Sequence, residues 1–264
     1  MPTSALARAT ATPYSGYVVE TQPGSLPMGG TVQDTPVYAL DAWPDGLHAS
    51  LPASAPSART DIDLGPQLAF VVDNVVSREG AQALIEIAEH FGFRPEAPGI
   101  ATPPGMRMNL ALHWMADRTL MDTIFRALAP HLPATLNGKA LWPRLSERID
   151  MYKYREGDEF RRHIDGTWPG YGVNASGDAI DTWPGSQSRL SMLLYLNDAD
   201  DGVEGGATRL WGRNGATVDV QPRAGSALFF QHGFEIGSVM HAGLPVKGRA
   251  PKYVARINVL YDAD

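Results

Sequence analysis

A chain of 264 residues can bury a substantial core, as one large domain or two small ones. Its formal net charge is -7 with only 22 Lys and Arg and no basic stripe, which argues against a nucleic-acid partner. It holds no cysteine, so disulfides and thiolate metal sites are excluded, and His, Asp and Glu remain as metal ligands. Residues 1–30 lack the continuous apolar core of a secretory signal, and no apolar run approaches the length of a membrane span. The expectation is a soluble, cytoplasmic protein with no membrane partner; the sequence leaves its oligomeric state open.

Residues 1–66 form a Pro-, Ala- and Ser-rich extension, with Pro at 13, 23, 27, 36, 44, 52 and 56. Short apolar pieces at Gly16–Val19 and Val37–Leu40 suit edge strands, and Tyr14, Tyr17, Tyr38 and Trp43 need cover. A wrapped course over 14–47 is therefore expected, with a flexible one as the alternative. The folded domain is expected over 67–264. Leu68–Val72 reads as a strand and Asp73-Asn74 as a turn. Ser77 stands at an N-cap, Ala81, Leu84, Ile85, Ala88 and Phe91 follow at helical spacing, and Gly92 ends that helix. Pro95–Pro104 reads as a loop. Thr119 is expected to cap a second helix, with Leu120, Ile124, Phe125 and Leu128 on one face and Pro130 as terminator.

Beyond Pro143 the texture becomes extended. Strands are expected at Arg148–Tyr154, Ser188–Leu196, Ala207–Leu210, Ala216–Val220, Ser226–Phe230 and Tyr253–Tyr261, joined by Gly, Asp and Asn turns. Many strands after a helical preface point to a mainly β sandwich or barrel of the jelly-roll kind, buttressed by N-terminal helices. The acidic turn Asn197–Gly202 lacks the terminal Glu of a calcium loop and reads as a solvated turn.

The chemistry gathers around Arg148–Gly166. After the strand, Glu156-Gly157-Asp158 breaks the chain, which resumes at Phe160 and reaches His163-Ile164-Asp165. Residues two apart in an extended segment share a face, so an imidazole and a carboxylate project together while Ile164 turns away. One more imidazole would complete the two-His, one-carboxylate set that holds iron(II) with coordination positions open. Of the other histidines, His90, His113 and His131 fall in or beside helices and are assigned to surface or satisfied positions. His232 and His241 both follow the strand Ala227–Phe230, and both stay open as the third ligand.

Residues 67–264 resemble the prolyl-4-hydroxylase-like branch of the iron(II)/2-oxoglutarate-dependent oxygenases. The blocks that carry the resemblance are Val71–Val76, Tyr154–Phe160 with His163-Ile164-Asp165, Leu194–Asn197, Gly205–Thr208, Pro222–Phe230, and His241–Val246 followed by Gly248, Lys252 and Tyr253. The resemblance implies a double-stranded β-helix barrel that uses iron(II), 2-oxoglutarate and O2, with ascorbate as an accessory candidate. It implies that His163, Asp165 and His241 bind the metal as the catalytic centre. It also implies that Lys252 and Tyr154 hold the distal carboxylate of 2-oxoglutarate. One extra residue separates His241 from Lys252, which leaves Arg256, at an even offset on the same strand face, as the substitute.

The implied reaction is hydroxylation of an unactivated C–H bond in a peptidyl or small-molecule substrate, amino-acid-like or natural-product. The motifs specify iron and cosubstrate and leave that substrate undefined. The alternatives are a non-catalytic cupin-like ligand-binding barrel and a nucleic-acid dealkylase, the latter suggested by Arg256-Ile257-Asn258. The Gly-rich segment 166–187 repeats Thr-Trp-Pro-Gly at Thr167–Gly170 and Thr182–Gly185. Directly after two ligands it belongs at the pocket mouth, either as a lid or as a loop whose Trp residues pack on the barrel.

Overall fold

The structure, a computed structural model, describes residues 14–24, 34–44, 46–95 and 102–263. In chain order the strands are β1 (Gly16–Gln22), β2 (Thr35–Leu40), β3 (Ala58–Asp61), β4 (Ala69–Asp73), β5 (Leu110–Met115), β6 (Thr135–Leu136), β7 (Lys139–Ala140), β8 (Arg148–Tyr154) and β9 (Phe160–His163). They continue as β10 (Pro169–Val173), β11 (Ile180–Tyr195), β12 (Thr208–Trp211), β13 (Thr217–Val220), β14 (Ala227–Gln231), β15 (Met240–Gly243) and β16 (Lys252–Asp262). The α-helices are α1 (Leu47–Ser50), α2 (Arg78–Phe91) and α3 (Arg118–Leu128). Among the described residues no helix is long and apolar enough to cross a membrane.

The major sheet runs β1-β2-β5-β8-β16-β11-β14-β4-β3, with β10 paired to β11, and the minor sheet runs β13-β12-β15-β9. Every named pair is antiparallel except β2 with β5. Two such sheets with helices behind the larger one make the jelly-roll barrel expected from the sequence.

Side-chain alternation explains which face does what. On β11, Leu190, Met192 and Leu194 join the large core that includes Leu84 of α2 and Leu120 and Ile124 of α3. Leu193 and Tyr195 turn the other way, into a second core with Leu210 of β12 and Phe230 of β14. β16 repeats the pattern: Tyr253, Ala255, Ile257 and Val259 face the helices, and Val254 faces the minor sheet. The polar residues Lys252 and Arg256 share the parity of Val254, and on β8 Tyr152 and Tyr154 take the opposite parity to Ile149 and Met151. A polar lining between two apolar layers is thus written into the period-2 pattern.

Ser77 caps α2, its Oγ accepting from the Gly80 N–H at 2.8 Å, and Gly92 closes the helix at φ 86°. The cap of α3 differs from expectation. Asp117, not Thr119, accepts from the Leu120 N–H at 2.7 Å, and a full carboxylate charge suits the positive end of a helix better than a hydroxyl. β5 was not anticipated and carries His113 into the major sheet, so that side chain is fully buried on a strand and not in or beside a helix. Its Nδ1 faces Arg148 and, at 3.4 Å, Asp150 Oδ1.

Within the N-terminal extension, β1 and β2 lie at one end of the major sheet, and Tyr38 stacks on Phe91 of α2 at 4.8 Å. Residues 1–13, 25–33 and 45, and 96–101 of the loop expected at Pro95–Pro104, lie outside the described residues. The acidic turn after Asn197 is less solvated than expected: Arg78 reaches both Asp198 and Asp201 at 2.8 Å.

Gly225 enters β14 at φ +79°, and a Cβ there would meet the Val76 carbonyl oxygen at 2.3 Å. Its own carbonyl accepts from Val75 at 2.9 Å, so neither segment can back away. Gly225→Ala is expected to destabilise the fold by about 2–3 kcal/mol, read as a lower urea midpoint at unchanged m-value.

Candidate active site

β9 ends at His163 and pairs with β15 so that His163 and His241 are direct cross-strand partners. The extended chain beyond His163 brings Asp165 to the same side. The ligating atoms of His163, Asp165 and His241 lie within 4.8 Å of one another. Asp165 Oδ1 is 3.4 Å from His163 Nε2 and 3.8 Å from His241 Nε2. Backbone carbonyls set the tautomers. His163 Nδ1 lies 2.7 Å from the Arg161 oxygen and His241 Nδ1 lies 3.2 Å from that of Val239. Each Nδ1 therefore donates, and each Nε2 faces the shared space.

The carboxylate is held from behind. Asp165 Oδ2 accepts from Ser191 Oγ at 2.6 Å and from Arg256 Nε at 3.1 Å. Burial alone would raise this carboxyl, but its charged and hydrogen-bonding neighbours, the Arg256 guanidinium first among them, outweigh it and keep the group well below the usual carboxylate range. Burial lowers His241 to about 3, so its imidazole is neutral, as a metal ligand must be.

The two basic candidates differ in their surroundings. Arg256 is already engaged, donating to Asp165 and, through Nη1, to Asp150 Oδ2 at 3.1 Å. Lys252 is 1% exposed, donates to the Gly206 carbonyl at 2.6 Å and stands 4.4 Å from the centre of the Tyr154 ring. Among the described residues no carboxylate reaches it, and burial lowers its amine from 10.5 to about 7. Lys252 and Tyr154 are cross-strand partners of β16 and β8, and both line the cavity that His163, Asp165 and His241 line.

The cavity opens outward past Phe160, Arg107 and Trp168. Arg107 covers the rings of Tyr152 and Phe160 at 4.4 and 4.9 Å, and its buried Nη2 has no hydrogen-bond partner among the described residues. The segment expected as a lid or loop is instead largely the paired hairpin β10–β11. Its two Trp residues part company: Trp168 lines the outer cavity, while Trp183 lies under Arg144 at 3.8 Å and against Gly170 and Gly172.

His241, not His232, joins the pair, and His232 lies behind Asp165 with its Nδ1 2.8 Å from Ser191 Oγ. Sequence reasoning missed Ser191, although a polar residue on the inward parity of an apolar strand, Leu190-Ser191-Met192-Leu193, was a usable signal. Arg107 had none, since it lies in a Pro- and Gly-rich stretch outside every motif block.

Residues 149–260 match the family model of the 2OG-Fe(II) oxygenase superfamily. This segment is a 2OG-Fe(II) oxygenase domain. The oxygenase depends on iron(II), 2-oxoglutarate and O2 and is a 2-oxoglutarate-dependent dioxygenase. A search of the curated proteins finds no match. Among solved structures the oxygenase fold is similar to a prolyl-4-hydroxylase from Pseudomonas putida, with a TM-score of 0.51, 18% identity and coverage of 75% of this chain and 95% of that one. It is equally similar to a viral collagen prolyl hydroxylase from Paramecium Bursaria Chlorella virus-1 in its 2OG complex, with a TM-score of 0.51, 18% identity and coverage of 76% and 100%. A prolyl hydroxylase from Trichoplax adhaerens, in complex with a hypoxia inducible factor peptide fragment, gives 0.50, 16%, and coverage of 76% and 86%.

The residues present fit both groups the oxygenase needs. Two imidazoles and one carboxylate match the donor set of non-haem iron(II). A buried ammonium with no carboxylate partner is costly, and the far carboxylate of 2-oxoglutarate would supply the missing counter-charge.

Proposed function

We propose that the chain hydroxylates an unactivated C–H bond of a peptidyl or small-molecule substrate. In this reading His163, Asp165 and His241 hold iron(II), and Lys252 with Tyr154 holds the distal carboxylate of 2-oxoglutarate. One observation carries it: three converging ligand atoms share a cavity with a buried ammonium that no carboxylate reaches among the described residues. When bound, iron and cosubstrate supply the oxidising chemistry, in which O2 and 2-oxoglutarate yield succinate, CO2 and an oxygen atom for the substrate. The chain's own residues orient and exclude. The Nδ1 contacts fix both imidazoles, Ser191 and Arg256 fix the carboxylate, and Leu193 and Val254 line the cavity with apolar surface that keeps water away.

Arg107 gives the outer cavity an acceptor-seeking edge. Its buried Nη2, without a partner among the described residues, suits a substrate carboxylate or carbonyl close to the reacting carbon. Arg107→Gln is expected to raise KM for the prime substrate about tenfold with kcat within about threefold, as loss of one charge-assisted hydrogen bond requires.

The test is to incubate the protein with iron(II) and 2-oxoglutarate against pools of peptides and small molecules. Proline-containing peptides come first, because one structural neighbour is in complex with a peptide. Succinate release together with a product heavier by one oxygen atom is the expected result. Binding of 2-oxoglutarate with no turnover on any pool would favour the non-catalytic barrel. Single-stranded DNA binding with a steep salt dependence would favour the dealkylase.

A further inference from the structure

His232 is 2% exposed and takes no part in the cluster of ligand atoms, yet both its ring nitrogens are engaged. Nε2 is 2.8 Å from Ser188 Oγ and Nδ1 is 2.8 Å from Ser191 Oγ. Ser188 Oγ also accepts from the Trp168 backbone N–H at 2.9 Å, and Ser191 Oγ donates to Asp165 Oδ2 at 2.6 Å. The two ends of this chain have fixed polarity, since a peptide N–H only donates and a carboxylate only accepts. Every link between them is then determined. The Ser191 proton points to Asp165, so its oxygen accepts from Nδ1–H of His232. The bare Nε2 accepts the Ser188 proton, and Ser188 accepts from Trp168. One imidazole tautomer satisfies all five groups, and burial, followed by the Arg256 charge, lowers His232 to about 4 and keeps it neutral.

The same segment grips Asp165 at a second point: the N–H of Gly233 donates to the Asp165 carbonyl at 3.0 Å. Backbone and carboxylate are thus both tied to residues 232–233, one directly and one through Ser191. Arg256 Nε touches the same Oδ2 at 3.1 Å, a second contact that substitutions at Ser191 and His232 leave in place.

We propose that His232 is a positioning residue that, through Ser191, locks the Asp165 carboxylate so that Oδ1 alone is presented beside the two imidazoles. The proposal rests on the reading of His163, Asp165 and His241 as metal ligands. It extends that set to an outer layer reaching the Trp168 backbone at the cavity mouth. Nothing in the motif blocks required it.

The test measures Co(II) affinity of the full chain without O2 or 2-oxoglutarate, by calorimetry and by the visible absorption of the bound ion. Wild type must bind and His163→Ala must lose binding; failure of either overturns the ligand reading itself, whereas the Ser191 and His232 variants address positioning alone. Ser191→Ala is expected to weaken Co(II) about 10- to 100-fold, as loss of an outer-shell partner does, while Ser191→Thr, which keeps the hydroxyl, stays within about threefold. His232→Asn places an amide N–H where Nδ1–H was and is expected to stay within about threefold, whereas His232→Leu falls as far as Ser191→Ala. The double variant Ser191→Ala/His232→Leu loses no more than Ser191→Ala alone, because one route is being cut twice. Wild-type Co(II) affinity in Ser191→Ala, equal losses in His232→Asn and His232→Leu, or losses that multiply in the double variant would each overturn the proposal. Melting of the metal-free variants separates lost folding from lost positioning, and Ser191→Thr and His232→Asn keep the comparison decisive if Ser191→Ala melts early.

Discussion

Asp165→Ala is expected to abolish succinate release and to weaken metal binding by more than the ~100-fold that loss of an outer-shell partner costs. Among the described residues its Oδ1 is the only carboxylate oxygen in the cluster, and without it two imidazoles face a divalent cation with no charge to balance it. His241→Ala and His163→Ala are expected to lose turnover as completely. The three variants separate in stability. Asp165 is one of two carboxylates on the buried Arg256, so its removal costs less than the roughly 3–5 kcal/mol of stranding a buried charge outright, since Asp150 remains. His163 is only partly buried, so its truncation is expected to move the melting temperature least. Turnover retained by Asp165→Ala, measured as succinate with substrate present, would show that the cluster is not the catalytic centre.

The legible parts of the molecule are those where one local rule suffices. Alternation alone places Arg148–Tyr154 as β8 to the residue, and a Ser followed by helical periodicity and Gly locates α2. The His-x-Asp pair is legible for the same reason: a strand's period of two puts both side chains in one space. The third member of the cluster is different in kind. His241 meets His163 because β15 pairs with β9, and register between strands almost eighty residues apart is a tertiary fact. From residues alone His232 was equally placed, and only the resemblance separated the two. The cap at Asp117 and the strand β5 were missed because propensity is a weak prior that packing overrides. Leu110–Met115 has no alternation to read; it lies between β2 and β8 and is buried along nearly its whole length. The choice between Lys252 and Arg256 could not be made from spacing, because both have the inward parity. It turns on which carboxylates lie nearby, and Asp150, which occupies Arg256, belongs to a strand a hundred residues earlier.

Lys252→Met is expected to weaken 2-oxoglutarate binding about 100-fold, or about 2.7 kcal/mol, within the range for truncating one partner of a buried charge pair. The fold should survive, and even gain, because the thioether fills the alkyl channel and a buried ammonium that no carboxylate reaches among the described residues is removed. The pH dependence gives the sharper signature. Burial lowers the amine from 10.5 to about 7, so between those values the unfolded chain binds one proton more than the folded chain. Stability of the ligand-free protein therefore rises with pH across that window, and Lys252→Met flattens the rise. Binding runs the other way. The amine must regain its proton to meet a carboxylate, so wild-type affinity for 2-oxoglutarate falls as pH climbs above about 7, by at most tenfold per unit. Calorimetric titration of 2-oxoglutarate into the Co(II)-loaded protein without O2 reads both effects. Arg256→Met serves as the contrast: it takes one partner from Asp165 and one from Asp150, leaving them Ser191 and Arg148, and is expected to lose metal and stability first. If Lys252→Met bound 2-oxoglutarate like wild type with an unchanged pH profile, the counter-charge would have to come from Arg256. Its existing bonds to two carboxylates would then have to break on binding, a rearrangement that Lys252, with only a carbonyl to release, avoids.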